Sequence, residues 1–389
     1  LLSHRSASQS AKSKLNFLAG KRMPFAKDCL GLPHTINLKA QMFNKILPFY
    51  GIDPTDSEVN AFGDGLINHT WNVKTGTERY ILQQVNQHVF KNPFDIDHNI
   101  TLLKDYLDIA YPDYLFIAAI KDLSGHTMIQ IPEGFFRMFR FVENSQSISV
   151  VHQYEEAYEG ARQFGKFSKL LSGFDASQLR ATLPDFHNLI LRYQQFLYAC
   201  ENASAERKER SAASIAYLLD NKDIVDTFNS IIQENEIPLR VIHHDTKISN
   251  VLFDAQNKGL CVIDLDTVMS GYFISDVGDM IRTYVCPVSE EETDISKIEI
   301  RTDFFKAIYD GYIKEMGSIL TDIEKSYFIY AGKFLIYMQA LRFLADYLQN
   351  DVYYGSKYEG HNLCRAKNQI VLLQKYLEKE VQLKELTAG

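Results

Sequence analysis

Apolar positions along the chain switch repeatedly between helical and strand spacing, and the lasting change after Glu143 divides it. Asn37 to Tyr50 sets Leu38, Met42, Ile46 and Leu47 on one face at helical spacing. Pro54 and Asp56 mark a turn. From Val59 to Gln84 the period shortens to two. Asn72-Val73-Lys74-Thr75 runs into Gly76 and Tyr80-Ile81-Leu82 follows, the pattern of a β-hairpin. Asp95 to Ala110 returns to helical spacing through Ile100, Leu103, Leu107 and Ile109. Tyr114 to Ile120 and Phe135 to Val142 then read as strands, with a short one near Met128-Ile129 between them. Strands, one helix and strands again predict a small antiparallel sheet with a single helix packed on it.

After Glu143 the pattern is almost wholly helical. Helices are predicted over His152 to Leu171, Pro184 to Cys200, Ala205 to Glu236 with a break, Phe304 to Glu315, Ile323 to Leu348 and Asn362 to Leu383. One strand-like stretch interrupts them, with short runs at Arg240-Val241-Ile242, Val251-Leu252-Phe253 and Cys261-Val262-Ile263. The expected class is α+β: an N-terminal lobe over residues 35–143 and a larger, mainly helical lobe over 144–389. Residues 1–34 read as a basic, serine-rich tail outside the fold, with Met23 a candidate start.

Composition narrows the classes. A net charge of −8 argues against nucleic acid as the main partner, because phosphate-tracking proteins need a basic surplus. The five cysteines form no Cys-x-x-Cys pair and no metal-ligand spacing, which suits free thiols in a reducing, cytoplasmic setting. The most apolar long segment, Ser326 to Ala345, carries Lys333, Gln339 and Arg342 and reads as a buried helix rather than a membrane span.

The chemistry concentrates in the strand-like insert. His243-x-Asp245-x-x-x-x-Asn250 supplies a carboxylate and a hard oxygen ligand at the spacing of a phosphoryl-transfer loop. There Asp245 serves as base, Asn250 as a magnesium ligand, and Lys247 meets the transferring phosphate. Fourteen residues past Asn250, the apolar run Val262-Ile263 ends in Asp264, a second candidate magnesium ligand, with Asp266 two positions on. Downstream, Asp276 reads as a helix-start cap, and Asp279 with Arg282 as an i,i+3 pair; each can also brace the loop. In the first lobe Gly63-Asp64-Gly65-Leu66-Ile67-Asn68 is a candidate loop over phosphates, so Gly63, Gly65 and Asn68 join the nucleotide candidates. Trp71 reads as core or as a wall for adenine.

These residues resemble the aminoglycoside phosphotransferase and choline kinase superfamily, with a protein-kinase-like bilobal fold. The resemblance is closest to bacterial N-acetylhexosamine 1-kinases. It rests on residues 243–250, on Val262 to Met269, on Asp276 to Arg282, and on Leu341 to Leu348 with Asp351-Val352-Tyr353; Tyr80 to Gln83 and Phe141-Val142-Glu143 extend it. The resemblance implies ATP and magnesium as cofactors, Gln83 and Glu143 among the nucleotide contacts, and a small-molecule sugar acceptor. It further implies that Asp264, Arg342 and Tyr353 bind that sugar and that a sugar 1-phosphate is the product. Arg342 also stands out by itself: it interrupts an apolar helix, where a guanidinium must find acceptors, Asp346 one turn later being one candidate. Two departures stand against the wider kinase pattern. The third strand reads Leu82-Gln83-Gln84-Val85 where a phosphate-binding lysine is expected, and no glutamate lies between Glu78 and Glu133 to pair with one. Asp97 or Asp105 is the candidate substitute for the glutamate, Lys74 or Lys91 for the lysine. The competing readings are a choline, ethanolamine, aminoglycoside or homoserine kinase, or a nucleotide-binding pseudokinase. A cationic acceptor requires an acidic or aromatic cage, for which Tyr327, Tyr330, Tyr337, Tyr347, Tyr353 and Tyr354 are available.

Overall fold

The computed structural model describes residues 41–63, 67–76 and 78–387. Gly65, the start of the first predicted helix and the basic tail lie outside them.

The first lobe is built on β1 (Ser57–Ala61), β2 (His69–Thr75), β3 (Glu78–Val85), α1 (Pro93–Ala110), β4 (Ile129–Ile131) and β5 (Gly134–Arg140). The strands form one antiparallel sheet in the order β1-β2-β3-β5-β4. Side chains alternate across each strand. One face therefore collects Trp71, Val73, Tyr80, Leu82, Phe136 and Met138, which pack with Ile129, Met42, Ile46 and Leu47 into a small core. The opposite face carries Gln83 and Arg137, in register across β3 and β5. Pro93 opens α1 at its first turn, where its missing N–H costs nothing. The buried Asn99 amide then ties α1 to the second lobe, donating to the Arg180 and Val268 carbonyls at 2.8 and 3.0 Å.

Tyr114 to Ile120 does not form the predicted strand. It makes one link to the sheet, Ile120 N–H to the Met138 carbonyl at 2.7 Å, while β4 pairs along β5 at that edge.

The second lobe contains β6 (Gln146–Ser147), α2 (Tyr154–Leu170), α3 (Leu189–Asn202), α4 (Ala205–Asp220), α5 (Asp223–Gln233), β7 (Arg240–Ile242), β8 (Val251–Phe253), β9 (Gly259–Val262) and β10 (Met269–Gly271). It continues through α6 (Phe273–Tyr284), α7 (Thr302–Met316), α8 (Asp322–Ser326), α9 (Phe328–Leu348), α10 (His361–Glu378) and α11 (Glu380–Thr387). The helix expected from Pro184 starts only at Leu189, because Asp185 takes a left-handed turn and the Asn188 side chain caps the Leu191 amide at 3.1 Å. Helix α9 is buried on nearly every side and forms the axis of the lobe. Helix α6 lies tight against it: a Cβ on Gly278 would sit 2.3 Å from the Ala331 carbonyl oxygen, so only glycine allows the approach. That contact fixes the height of Asp276 and Asp279, which α6 presents to residues 243–250. Among the described residues no helix is long and apolar enough to cross a membrane.

Candidate active site

Residues 243–250 leave β7 and pass along α6, and three side chains of that helix hold the loop. Asp276 accepts the His243 and His244 amides at 3.0 and 2.7 Å. Two successive amides can meet one carboxylate because His244 is left-handed, with φ 66°. Asp279 accepts the Thr246 amide at 2.9 Å, and the Tyr284 hydroxyl donates to the Thr246 carbonyl at 2.7 Å. Burial pushes the Asp276 carboxyl up, to about 7, against the two amide hydrogen bonds that favour its charged form. Asp276 is thus a brace as well as a helix-start residue. Asp279 is both things the sequence allowed, since it also pairs with Arg282 at 3.0 Å.

The two histidines are structural. The His243 ring lies edge-on to Phe164 and Phe167 and bonds the Ile263 carbonyl at 3.0 Å. The His244 Nδ1 lies 3.1 Å from the Thr267 carbonyl. Burial lowers both rings, His244 to about 4, so both are neutral near pH 7.

Between these supports stands Asp245. Its carboxylate lies 3.0 Å from Lys247 Nζ and 3.1 Å from the Asn250 amide nitrogen. Burial works to raise the Asp245 carboxyl, but Lys247 and Asn250 outweigh it and hold it below the usual carboxylate range. A carboxylate kept charged beside an ammonium can accept a proton from a hydroxyl that enters between them.

Asp264 comes to the same point by strand pairing. β8 and β9 are antiparallel, with Val251 opposite Val262, and the Ile263 amide bonds the Asn250 carbonyl at 2.9 Å. Asn250 and Asp264 consequently emerge side by side. Asp264 is left-handed, φ 60° and ψ 57°, where the chain leaves β9, and its side chain is exposed. Partial desolvation there, then the Asp266 and Asp245 carboxylates, push the Asp264 carboxyl above its usual range. The Asp264 carboxylate and the Asn250 side-chain oxygen, brought to the same end of this hairpin, are donors of the kind a hard divalent cation takes.

Asp266 faces the first lobe. Asn68 donates to it at 2.8 Å, and Arg137 pairs with it at 2.5 Å. Arg137 also donates twice to the Gln83 side-chain oxygen, at 2.8 and 3.2 Å. Asn68 and Gln83 are thus committed to protein partners around one guanidinium. Arg137 and Asp266 form a buried cation–carboxylate pair between the lobes. Lys74 and Lys91 are exposed, Asp105 is exposed, and Asp97 is held by the Thr127 hydroxyl at 2.5 Å. Gly63 is left-handed with open space around it, and Glu143, just beyond β5 at the passage between lobes, pairs with Arg79 at 3.3 Å.

A second group of side chains continues from His244. The His187 ring lies 5.3 Å from it and stacks on Phe186 at 4.5 Å, and the Arg342 guanidinium sits 5.5 Å from the Phe186 and Tyr354 rings. Arg342 does not pair with Asp346: it donates to Gln339 at 3.2 Å and forms no ion pair among the described residues. Arg192 is likewise without an ion pair, and burial and then Arg342 lower its affinity for its proton. Burial, then His244, Arg342 and Arg192, hold His187 well below its usual value. Tyr353 is exposed, edge-on to Tyr354 at 4.8 Å. His187 and Arg192 escaped the sequence reading; the only local signal was an aromatic-histidine pair, Phe186-His187, ahead of a helix cap.

With this geometry in hand, comparison with known proteins is decisive on family. The model of a phosphotransferase enzyme family, APH, matches residues 58–298, more than half of the chain. The chain belongs to that family. Solved structures agree in fold. A microcompartment-associated aminopropanol kinase superposes with a TM-score of 0.63 at 15% identity, covering 89% of this chain and 98% of its own. Spectinomycin phosphotransferase, solved in complex with ADP and spectinomycin, gives 0.54 at 14% identity, covering 88% and 98%. The Plasmodium vivax ethanolamine kinase gives 0.56 at 13% identity, covering 95% and 96%. This phosphotransferase therefore has the kinase-like fold expected from its sequence, and the matched segment contains both the Arg137–Asp266 pair and the Asp245 loop.

Proposed function

We propose that this phosphotransferase moves the terminal phosphoryl group of ATP onto the anomeric hydroxyl of N-acetylglucosamine or N-acetylgalactosamine, releasing ADP and a sugar 1-phosphate. Asp245 takes the hydroxyl proton as the sugar oxygen forms its bond to phosphorus and the bridging bond to ADP breaks. Lys247, beside Asp245, meets the charge on the moving phosphoryl group. Asn250 and Asp264 would hold magnesium, which when bound neutralises phosphate charge. Gly63 belongs to the nucleotide side of this reading, with Gly65 a further candidate that lies outside the described residues; Glu143 would meet the adenine end, and Asn68 and Gln83 act through Asp266 and Arg137.

One observation carries the choice of acceptor. The side chains that continue from His244 through His187 include Arg342 and Arg192, neither of which forms an ion pair among the described residues; Arg192 donates to Gln195 and to the Asp185 and Phe186 carbonyls, while Arg342 donates only to Gln339. Guanidinium forks offer fixed donors to hydroxyl and acetamido oxygens and repel an amine cation. Of the six tyrosines available to cage a cation, Tyr353 and Tyr354 lie on this side, with Tyr354 against the Arg342 guanidinium, and the other four are engaged elsewhere. Tyr330 and Tyr337 donate to the Ile224 and Leu218 carbonyls at 2.7 and 2.6 Å, Tyr327 bonds Glu236, and the Tyr347 ring lies 4.5 Å from Arg207. Asp264 and Tyr353 complete the sugar side of the reading. An intact Asp245, Asn250 and Asp264 in one cleft speaks for turnover rather than for a silent nucleotide binder. ATP turnover by the purified protein with N-acetylhexosamines, choline, ethanolamine, an aminoglycoside and homoserine tests the reading; consumption of ATP with an amine and none with a sugar would overturn it.

A further inference from the structure

Arg137 sits in the middle of β5 between Phe135, Phe136, Met138 and Phe139, and only 2% of its surface is exposed. A guanidinium in such a strand is costly unless its donors are satisfied. Nε and one terminal nitrogen are satisfied by Gln83 and Asp266, while the other terminal nitrogen has no partner among the described residues. The position is also informative. Gln83, directly across in the register, stands where the wider kinase pattern expects a lysine, and Asp266 is two residues from the exposed Asp264. The two lysines the sequence offers for this place, Lys74 and Lys91, are both exposed.

We infer that Arg137 is the cation that grips the phosphates of the bound nucleotide, delivered from the fifth strand where the third carries glutamine. This rests on the ATP-dependent reading above. Asp266 and Gln83 hold one edge of the fork, and the unpartnered nitrogen is left for a phosphate oxygen at the junction of the lobes. Arginine suits this task because its planar fork serves a carboxylate and a phosphate together, which a lysine point charge cannot do at fixed angles.

Calorimetric titration of the full chain with adenosine, and with ADP in magnesium, tests the inference. Arg137→Met should weaken ADP binding by roughly ten- to a hundredfold, the loss of a hydrogen bond to a charged partner, while adenosine binds as before. Asp266→Asn should lower the melting temperature yet keep ADP affinity within a few-fold, because the guanidinium remains. Should the methionine variant fail to fold, Arg137→Gln retains polar contacts to the strand and must show the same selective loss of ADP. Equal losses for adenosine and ADP, or a loss in Asp266→Asn as large as in the Arg137 variants, would make Arg137 a brace between lobes and overturn the inference. Absence of any ADP binding by the unaltered protein would instead remove the nucleotide reading on which it stands.

Discussion

The Asp346 carboxylate accepts the Tyr353 amide at 2.7 Å, seven residues ahead, instead of pairing with Arg342 one turn behind it. It also accepts the Tyr354 amide and the Asn362 side chain, each at 3.0 Å. The loop that carries Tyr353 is thereby fixed to the end of α9, and Arg342 is left free of an acidic partner. Asp346→Asn replaces one acceptor oxygen by a donor, and the loop should loosen. The expected result is a KM for the sugar raised by about tenfold with the KM for ATP unchanged, a loss of about 1.4 kcal/mol in sugar binding. Steady-state kinetics with each substrate varied separately checks it; a rise in the KM for ATP alone would contradict it.

Asp245→Asn should leave the fold and ADP affinity near normal, because Asn250 and Lys247 keep isosteric contacts, while kcat falls by roughly 10²–10⁴-fold. Thermal melting and calorimetry establish the intact fold, and turnover reads the effect. Near-normal kcat in a folded variant would remove Asp245 from the reaction.

Asn250→Ala and Asp264→Ala each delete an oxygen from the acidic end of the cleft. Magnesium-dependent strengthening of ATP binding should shrink about tenfold or more in both variants, and affinity measured in chelator should change little. Unchanged affinity in magnesium for both would exclude this pair as ligands.

Glu290 bridges Arg282, at 2.7 Å, and Arg365, joining the α6 support of the catalytic loop to α10. Burial works to raise its carboxyl, but the two guanidinium groups prevail and hold it below the usual range. A depressed carboxylate adds stability above its unfolded pKa and loses it as pH falls through the folded value. Glu290→Gln should therefore cost about 3 kcal/mol at pH 7, and the gap to the unaltered protein should close below about pH 4. Denaturant melts across that range read the difference; a gap that widens on acidification would reverse the sign of the argument.

How much of this was legible before the structure depended on distance along the chain. The loop from His243 to Asn250 and the Asp264 that follows were readable because an apolar strand on either side forces their side chains to one end of a hairpin. The β2–β3 hairpin and the helix from Pro93 were readable from period alone. The Arg137–Asp266 pair was not. Arg137 is a single charge in an apolar run, and its meaning lies in the β3–β5 register and in Asp266, more than a hundred residues away. The lone charge was the available signal, of the same kind that singled out Arg342. Tyr327, Tyr330 and Tyr337 misled for the opposite reason: helical spacing does gather hydroxyls, but these donate to main-chain carbonyls and to Glu236 within the helical lobe.

The central claim is transfer of a phosphoryl group from ATP to the anomeric oxygen of an N-acetylhexosamine. Phosphorus and proton NMR of the product formed from ATP, magnesium and N-acetylglucosamine or N-acetylgalactosamine tests it most directly. The account predicts a phosphate coupled to the anomeric proton, and its loss with Arg342→Leu while ADP affinity stays near the unaltered value. A six-phosphate product, or phosphocholine formed while both sugars remain untouched, would contradict it.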